Sequence, residues 1–242
     1  ALQEATVPGT EFEGSPCVTT RFAPASSRGA CLRVSDPKRV VQVQAWKVHK
    51  FGGSSVADAA CMESVAHIIK ADPATRKGVV LSACKGVTDA LLGLVGLAEK
   101  DDPAVDDRLE DVRQRHIALA RALLAGELYD DYVAALDRDC RDIAGILQTV
   151  RLVRAASTTM RDLISGYGEI WSTRAFERLL RRRGLSAGHV QWVDARKALL
   201  VEWGPMGPGV RWEQSRANLQ AMVSPDFVGT LVITGFIATD NH

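Results

Sequence analysis

The segment from residue 41 to residue 55 has the sequence VQVQAWKVHKFGGSS. Its first part, residues 41–48, alternates apolar and mostly polar side chains, which predicts a β-strand. The glycine pair Gly52-Gly53 predicts a loop over residues 50–55. Residues 59–69 then carry apolar side chains on one helical face. A strand, a short loop and a helix in this order indicate the opening unit of a parallel α/β sheet.

The same alternation of strand and helix continues along the chain. A short apolar run predicts a second strand at residues 78–81, and further strands are expected at residues 189–193 and 228–233. Helical patterns cover residues 90–98, 103–125, 129–153 and 210–222. Between residues 158 and 183 we expect helical segments that residues 166–169 interrupt, with Thr158 or Thr159 as the cap and Gly184 as the stop. We therefore predict an α/β fold, a three-layer α/β/α sandwich with a mainly parallel sheet.

Composition and charge argue against two kinds of partner. The 242 residues are 46% hydrophobic and 24% charged, with a net charge of +1, so there is no basic excess for nucleic acid. The one basic run, residues 174–183, is interpreted as a solvated helix end rather than a phosphate or nucleic-acid patch. No apolar run approaches the ~18 residues that a membrane span needs. We expect neither nucleic acid nor a membrane as partner.

The cysteines form no recognisable disulfide or metal pattern. There are five, an odd number, with wide spacings, no CxxC pair and no Cys/His pair at zinc spacing. This usage predicts a reducing compartment and no metal site.

Residues 1–44 differ in composition from the rest of the chain. They hold four prolines and many Ser, Thr, Ala and Arg residues, and no helical or strand period persists in them. Residues 26–30 resemble an organelle transit segment, whereas Glu4, Glu11 and Glu13 oppose this because such segments are usually poor in acidic residues. A plain disordered tail is the alternative. We expect the folded part to be residues 45–242.

The first candidate for a ligand site is Lys50 with the Gly52-Gly53 pair, between the first strand and its helix. Two adjacent glycines let an anion approach the backbone N–H groups, and the helix start that follows favours negative charge. Lys50 adds a mobile positive charge. The pattern is neither a Walker loop nor GxGxxG. The alternative is a glycine turn with a purely structural role.

Two further groups of polar residues are candidates. Ser82 and Thr88 follow the strand at residues 78–81, where hydroxyls and loop amides could hold a carboxylate, although such residues are common in loops without a function. Glu169, expected at a helix start, could receive a substrate ammonium, or the helix dipole alone could explain it. Because ligands bind beyond the carboxyl ends of the strands in an open α/β sheet, these groups could line one site.

Five segments resemble, in order and rough spacing, the sequence blocks of aspartate kinases. They are VHKFGGSSVA (48–57), VVLSACKGVTD (79–89), GYGEIWS (166–172), VDAR (193–196) and TGFIA (234–238). The resemblance covers about residues 46–238. The plant and algal form, in which the kinase is fused to homoserine dehydrogenase, is the most similar. The features that carry this similarity are the start of the first block, Trp46-x-Val48-His49-Lys50, Trp171 in the glutamate block, and the leader.

The resemblance implies a fold, a reaction and partners. The fold is that of the amino acid kinases. The reaction is transfer of the γ-phosphoryl group of ATP to the side-chain carboxylate of L-aspartate, which gives 4-phospho-L-aspartate in the first step of lysine, threonine and methionine biosynthesis. Mg²⁺ would be carried by the nucleotide. The full-length protein would be a homo-oligomer in the plastid, or otherwise in the cytoplasm.

The resemblance also implies roles by position. Lys50 would be the catalytic residue. ATP and its phosphates would contact residues of the glycine loop, and L-aspartate would contact the polar candidates, with Glu169 paired to its amino group. The residues implied to contact ATP are Lys50, Phe51, Gly52, Gly53 and Ser54. The residues implied to contact L-aspartate are Ser82, Thr88 and Glu169. An attacking carboxylate needs no general base, so catalysis would consist of positioning and charge neutralisation.

The chain also departs from the family pattern. Ser54 stands where the family usually has Thr, and Lys85 adds a charge to the second block. After residue 238 the family continues into a segment that completes the aspartate site and then into the nucleotide lobe. We therefore expect a fragment, the amino-acid-binding N-terminal part of a catalytic domain. Its sheet would be incomplete at the C-terminus, with an unpaired edge on the last strand, and its own kinase turnover would be negligible.

Two alternatives stay open at this point. One is a non-catalytic module, a truncated product that binds aspartate or dimerises with a complete copy. The other is another amino acid kinase, which the Gly-Glu-x-x-Ser block at residues 168–172 disfavours.

Overall fold

The computed structural model describes residues 45–205 and 207–240. The strands are β1 (Lys47–Phe51), β2 (Arg76–Leu81), β3 (Val190–Val193), β4 (Leu200–Gly204), β5 (Gly207–Val210), β6 (Gly229–Thr234) and β7 (Thr239–Asp240). The helices are α1 (Ala59–Ala71), α2 (Val87–Glu99), α3 (Ala104–Leu123), α4 (Glu127–Val153), α5 (Thr158–Arg182), α6 (Ala195–Ala198) and α7 (Trp212–Met222). The expectations for residues 1–44 lie outside the described residues. Within the two described ranges, no helix combines the length and the apolarity that a bilayer span requires.

The main sheet has four parallel strands in the order β1-β2-β6-β3. Its register pairs Phe51 with Leu81 and Leu81 with Thr234, so the carboxyl ends of β1, β2 and β6 lie at the same level. The expected unpaired edge on the last predicted strand is wrong. That strand, β6, lies between β2 and β3 and both its edges are paired, because its place in the sheet does not follow its place in the sequence.

The first strand lies farther along the chain than its alternating pattern predicts. β1 includes Lys50 and Phe51, which the glycine pair assigns to a loop. The reason is the parallel partner: pairing with β2 continues to the end of β1, so the backbone stays extended until Gly52.

Helices cover both faces of the main sheet, as the three-layer prediction requires. Helices α1 to α5 form the larger layer, and Val232 of β6 packs into its core with Trp171 and Leu179. The neighbouring Leu231 points to the opposite face and packs with Val193, beside α6 and α7. This alternation is what a strand buried on both faces produces. The α/β/α sandwich with a mainly parallel sheet is confirmed.

A second, smaller sheet was not predicted. β4 and β5 form an antiparallel hairpin, and β7 pairs in parallel with β4 on its other side. The sequence of β5 is GPGV, and glycine and proline both predict a loop rather than a strand. Pro208 is tolerated because β5 is an edge strand of this sheet, where a missing N–H breaks no ladder bond on the open side.

The expected interruption at residues 166–169 is wrong, because α5 is one continuous helix. Its cap is Ser157, whose hydroxyl accepts a hydrogen bond from the backbone N–H of Met160 at 3.2 Å, rather than Thr158 or Thr159. Gly168 serves close packing instead of breaking the helix. A Cβ on Gly168 would lie 2.7 Å from the Cβ of Ala83, in the loop after β2.

Replacing Gly168 with alanine therefore tests the close packing of α5 on the loop after β2. Gly168→Ala is expected to lower the free energy of unfolding by about 1–3 kcal/mol, because the new methyl group overlaps Ala83 and crowds Val87. Gly145→Ala in α4 is the matched control. Nothing lies within 4 Å of its added Cβ, so this change should stabilise the helix by up to about 1 kcal/mol. Urea unfolding of both variants measures this, and equal effects would contradict the packing role of Gly168.

Candidate active site

Backbone hydrogen bonds join the loops that leave β1 and β2. The N–H of Ser82 donates to the carbonyl of Phe51 at 3.1 Å, and the N–H of Lys85 donates to the carbonyl of Gly53 at 3.1 Å. A Cβ on Gly53 would lie 2.8 Å from the carbonyl oxygen of Ala83, so glycine is required for this approach. The glycine turn and the loop after β2 thus form one surface at the carboxyl edge of the sheet.

Lys50 is an exposed side chain near the end of β1, and its Nζ donates to Ser82 Oγ at 3.0 Å. The loop hydroxyl and the ammonium therefore lie side by side. Ser82 is half-buried, so the pair faces the open edge of the sheet rather than the core.

Glu169 lies in the middle of α5, not at a helix start, and only 4% of it is exposed. Its carboxylate accepts one long hydrogen bond, from the N–H of Ala83 at 3.4 Å. Burial raises the pKa of Glu169, and the helix backbone, the Ala83 amide and the charge of Lys50 oppose that rise. Among the described residues, no cation lies within ion-pair distance of this carboxylate. A buried carboxylate without a counter-ion is costly, and a ligand cation would offset that cost.

Thr88 is the second residue of α2. Its neighbour Val87 packs beside Gly168, with Cγ1 at 3.3 Å from the position of a Cβ there, so the first turn of α2 lies against α5 next to Glu169. Among the residues that the structure describes, the Thr88 hydroxyl makes no hydrogen bond. The structure thus brings Lys50, Ser82 and Glu169 together and leaves Thr88 nearby without a contact to them.

The remaining residues of the glycine loop differ in what they can offer a ligand. Phe51 is buried and its ring stacks on that of His49, with centroids 6.3 Å apart, so only its backbone is available. Gly52 and Ser54 are exposed, and nothing lies within 4 Å of a Cβ placed on Gly52. This open backbone is the part of the loop that an anion could approach.

Sequence reasoning assigned no role to two groups at this edge. The Ala83 amide was covered only by the general mention of loop amides, and Ser172 only as part of the Gly-Glu-x-x-Ser block. Ser172 is fully buried on α5 and its Oγ donates to the carbonyl of Ser82 at 2.8 Å. A possible signal was its place three residues after Glu169, since that spacing puts both residues on the same side of a helix.

Burial disfavours the thiolate form of the cysteine at this edge and of the one in α4. Burial raises the pKa of Cys84 to about 11 and that of Cys140 to about 12, so both thiols stay protonated. In the described ranges, no group of three or more His, Cys, Asp or Glu side chains is arranged to hold a metal ion.

The basic run at residues 174–183 is neither a free patch nor simply a solvated helix end. Arg174 binds Asp139 at 2.6 Å and is largely buried, and Arg183 binds Glu63 at 2.5 Å. Arg182 donates to the carbonyl of Leu123 at 2.5 Å. These arginines fasten α5 to α4, α1 and α3 and leave little charge free for a phosphate.

The chain belongs to the amino acid kinase family, whose model matches residues 45–242. It is 30% identical over 211 residues to the chloroplastic bifunctional aspartokinase/homoserine dehydrogenase 2 of Arabidopsis thaliana, covering 86% of this chain. It spans only 22% of the length of that plant protein. Lysine-sensitive aspartokinase 3 of Escherichia coli is 33% identical over 198 residues, covering 80% of this chain and 41% of its own length.

Solved structures give the same relationship. E. coli aspartokinase III in complex with aspartate and ADP (R-state) matches with a TM-score of 0.67 and 28% identity, over 82% of this chain and 42% of that one. The complex of the same kinase with lysine and aspartate (T-state) matches with a TM-score of 0.66 and 27% identity, over 80% and 41%. The predicted resemblance and the amino acid kinase fold are confirmed.

The raised pKa of Glu169 predicts a stability effect with a definite sign. The folded protein keeps the carboxyl proton at pH values where the unfolded chain, with a pKa near 4.5, has released it. The free energy of unfolding therefore falls as pH rises from that value through the folded pKa. Glu169→Gln removes this loss, so the variant should gain stability relative to wild type between about pH 4 and about pH 7. Urea unfolding of both proteins at the two pH values measures this gain. If the free energies of unfolding of wild type and Glu169→Gln changed equally with pH, the raised pKa of Glu169 would be contradicted.

Proposed function

We propose that this chain is the aspartate-binding part of an aspartate kinase, an enzyme that phosphorylates the side-chain carboxylate of L-aspartate. The observation that carries the proposal is the buried, unpaired carboxylate of Glu169 at the same sheet edge as the Lys50–Ser82 pair. The solved relative that binds aspartate and ADP supports both substrates.

In this proposal, Glu169 receives the ammonium group of aspartate. Inside the protein an ammonium–carboxylate pair with hydrogen bonds is stronger than one in water. The hydroxyls of Ser82 and Thr88, with the loop amides around Ala83, hold the substrate carboxylates. The reactive side-chain carboxylate then faces Lys50 and the exposed glycine backbone at Gly52.

The chemical step is displacement at the γ-phosphorus of ATP. A side-chain oxygen of aspartate forms a bond to the γ-phosphorus as the bond from phosphorus to the bridging oxygen breaks, which gives 4-phospho-L-aspartate and ADP. Lys50 offsets the negative charge that builds up, and one such charge at ~4 Å is worth about 4 kcal/mol at an effective dielectric near 20. Mg²⁺ enters with the nucleotide as part of that substrate. The glycine loop, Phe51 to Ser54, approaches the phosphates through its backbone.

The wider setting is also a proposal. We infer that residues 45–242 are the amino-terminal part of the catalytic domain and that residues 1–44 precede it as a leader, which the start of the family match at residue 45 supports. The chloroplastic plant relatives support a plastid location. The place of the reaction as the first step of lysine, threonine and methionine synthesis is part of the proposal. A homo-oligomer is the proposed full-length state.

Aspartate binding tests the role of Glu169. Calorimetry is expected to show that Glu169→Gln binds L-aspartate at least about tenfold more weakly than wild type, because a charged partner of the ammonium is lost. Glu177→Gln is the matched control, a buried glutamate two turns farther along α5 that pairs with Arg178 and Arg181. Succinate, which lacks the amino group, should bind wild type and Glu169→Gln with equal affinity. Equal aspartate affinity of Glu169→Gln and wild type would remove Glu169 from the site.

Phosphoryl transfer tests the role of Lys50. In a kinase-active form of the protein, Lys50→Met is expected to lower aspartate-dependent acyl phosphate formation by about 10²-fold or more, because charge stabilisation at the phosphoryl group is lost. Trapping the acyl phosphate with hydroxylamine measures it. Lys47→Met is the control, a lysine of the same strand that pairs with Asp72 at 2.6 Å instead. If both variants lost activity alike, Lys50 would have no special role.

A further inference from the structure

Two buried hydroxyl groups follow Glu169 on α5 and connect its helical turn to other elements. Ser172 Oγ donates to the carbonyl of Ser82 at 2.8 Å and lies 3.2 Å from the carbonyl of Glu169. Thr173 Oγ1 donates to the carbonyl of Glu169 at 2.6 Å and accepts from Trp192 Nε1 at 2.9 Å. The turn that carries Glu169 is therefore bonded to the loop after β2 through Ser172 and to β3 through Thr173.

The contact with β3 is itself supported. The guanidinium of Arg174 lies over the Trp192 ring, 4.9 Å from its centroid. Arg174 also binds Asp139 of α4 at 2.6 Å, and Asp139 accepts a hydrogen bond from Trp171 Nε1 at 2.9 Å. Trp192 is thus held in place from α5 and, through Asp139, from α4.

A serine or threonine inside a helix ordinarily bonds back to its own helix and reaches nothing else. Thr149 in α4 is such a case, since its hydroxyl donates only to the carbonyl of Gly145. Ser172 and Thr173 differ because each also bonds a neighbouring strand or loop. The carboxylate of Glu169 has only the long contact to the Ala83 amide, so its location depends on the helical turn rather than on bonds of its own.

We propose that Ser172 and Thr173 are positioning residues that fix the Glu169 carboxylate relative to Ser82 and Lys50. Ser172 sets the distance between α5 and the loop that carries Ser82 and the Ala83 amide. Thr173 sets the rotation of the same turn against Trp192. The inference deepens the proposed function, because it assigns the residues that place the carboxylate for the substrate ammonium.

Four variants separate positioning from a general structural role. Thr173→Val keeps the shape and removes the hydroxyl, whereas Thr173→Ser keeps the hydroxyl. Ser172→Ala removes the bond to the loop after β2. Thr149→Val is the control, because it deletes an exposed helix hydroxyl that bonds only to its own helix, away from the site. The measurements are the melting temperature, the pKa of the Glu169 carboxyl from ¹³C NMR with Glu169→Gln as the assignment standard, and the dissociation constant of L-aspartate.

Positioning predicts a pattern that stability alone does not. Ser172→Ala and Thr173→Val should raise the Glu169 pKa further, because the carboxylate moves away from the Ala83 amide and Lys50 that lower it. Both should weaken aspartate binding by about tenfold, the ordinary effect of one buried hydrogen bond. Thr173→Ser should restore both values, and Thr149→Val should change neither. Folded Ser172→Ala and Thr173→Val proteins with the wild-type Glu169 pKa and aspartate affinity would overturn the proposal.

A variant of Trp192, the partner of Thr173 on β3, tests the same contact without changing α5, so it remains informative if the α5 variants fail to fold. Trp192→Phe keeps a half-buried aromatic ring and removes the N–H donor. It should reproduce the pKa change of Thr173→Val, and the double variant should be no worse than either single one. If the loss of aspartate affinity in the double variant equalled the product of the two single losses, the two residues would act independently, and the Trp192 contact would not be the means of positioning. If wild type bound no aspartate, the proposed function would fail, whereas the Glu169 pKa comparison would still decide the positioning role.

Discussion

The close contact of α5 with the loop after β2 is the constraint on which the candidate site depends. Gly168 has no side chain, so Ala83 can lie against the helix at a distance that a methyl group would forbid. This contact brings the next residue, Glu169, to the amide of Ala83, and it brings Ser172 to the carbonyl of Ser82. The same loop is bonded to the glycine turn after β1. One missing side chain on a helix therefore decides which groups meet at the carboxyl edge of the sheet.

The cost of this arrangement is met by the helical layer rather than by the site itself. An ionised carboxylate in a buried position opposes folding, as the raised pKa of Glu169 indicates. Around it, α5 buries large apolar side chains from Ile164 to Leu180, with Trp171 and Phe176 completely enclosed. Burial of side chains of this size stabilises a protein by about 2–3 kcal/mol each. A core of this kind can tolerate one group that is placed for a ligand instead of for stability.

The sequence predicted those features that depend on local pattern. The apolar runs of β2 and β6 identified the two central strands of the parallel sheet, because strands buried on both faces have few polar residues. Lys50, Ser82 and Glu169 could be named as candidates because each lies in a recognisable sequence block, although Lys50 is part of β1 and Glu169 lies in the middle of α5. The continuity of α5 could not be predicted, since glycines at 166 and 168 look locally like a break and only the neighbouring Ala83 explains one of them. The β4–β5 hairpin was missed for a related reason, because its stability comes from pairing rather than from the residues GPGV.

The separation of charges at the edge of the sheet restricts the kind of molecule that fits it. Glu169 and Lys50 have opposite charges and influence each other, yet they form no ion pair, and Lys50 donates to Ser82 instead. A ligand that compensates both must carry a positive group at one end, toward α5, and a negative group at the other, toward β1. A simple anion would leave the charge of the buried carboxylate uncompensated, and a simple cation would leave the charge of Lys50 uncompensated. An amino acid with an acidic side chain has both groups at the required ends, and that polarity, more than any single residue, supports the aspartate substrate that we propose for this site.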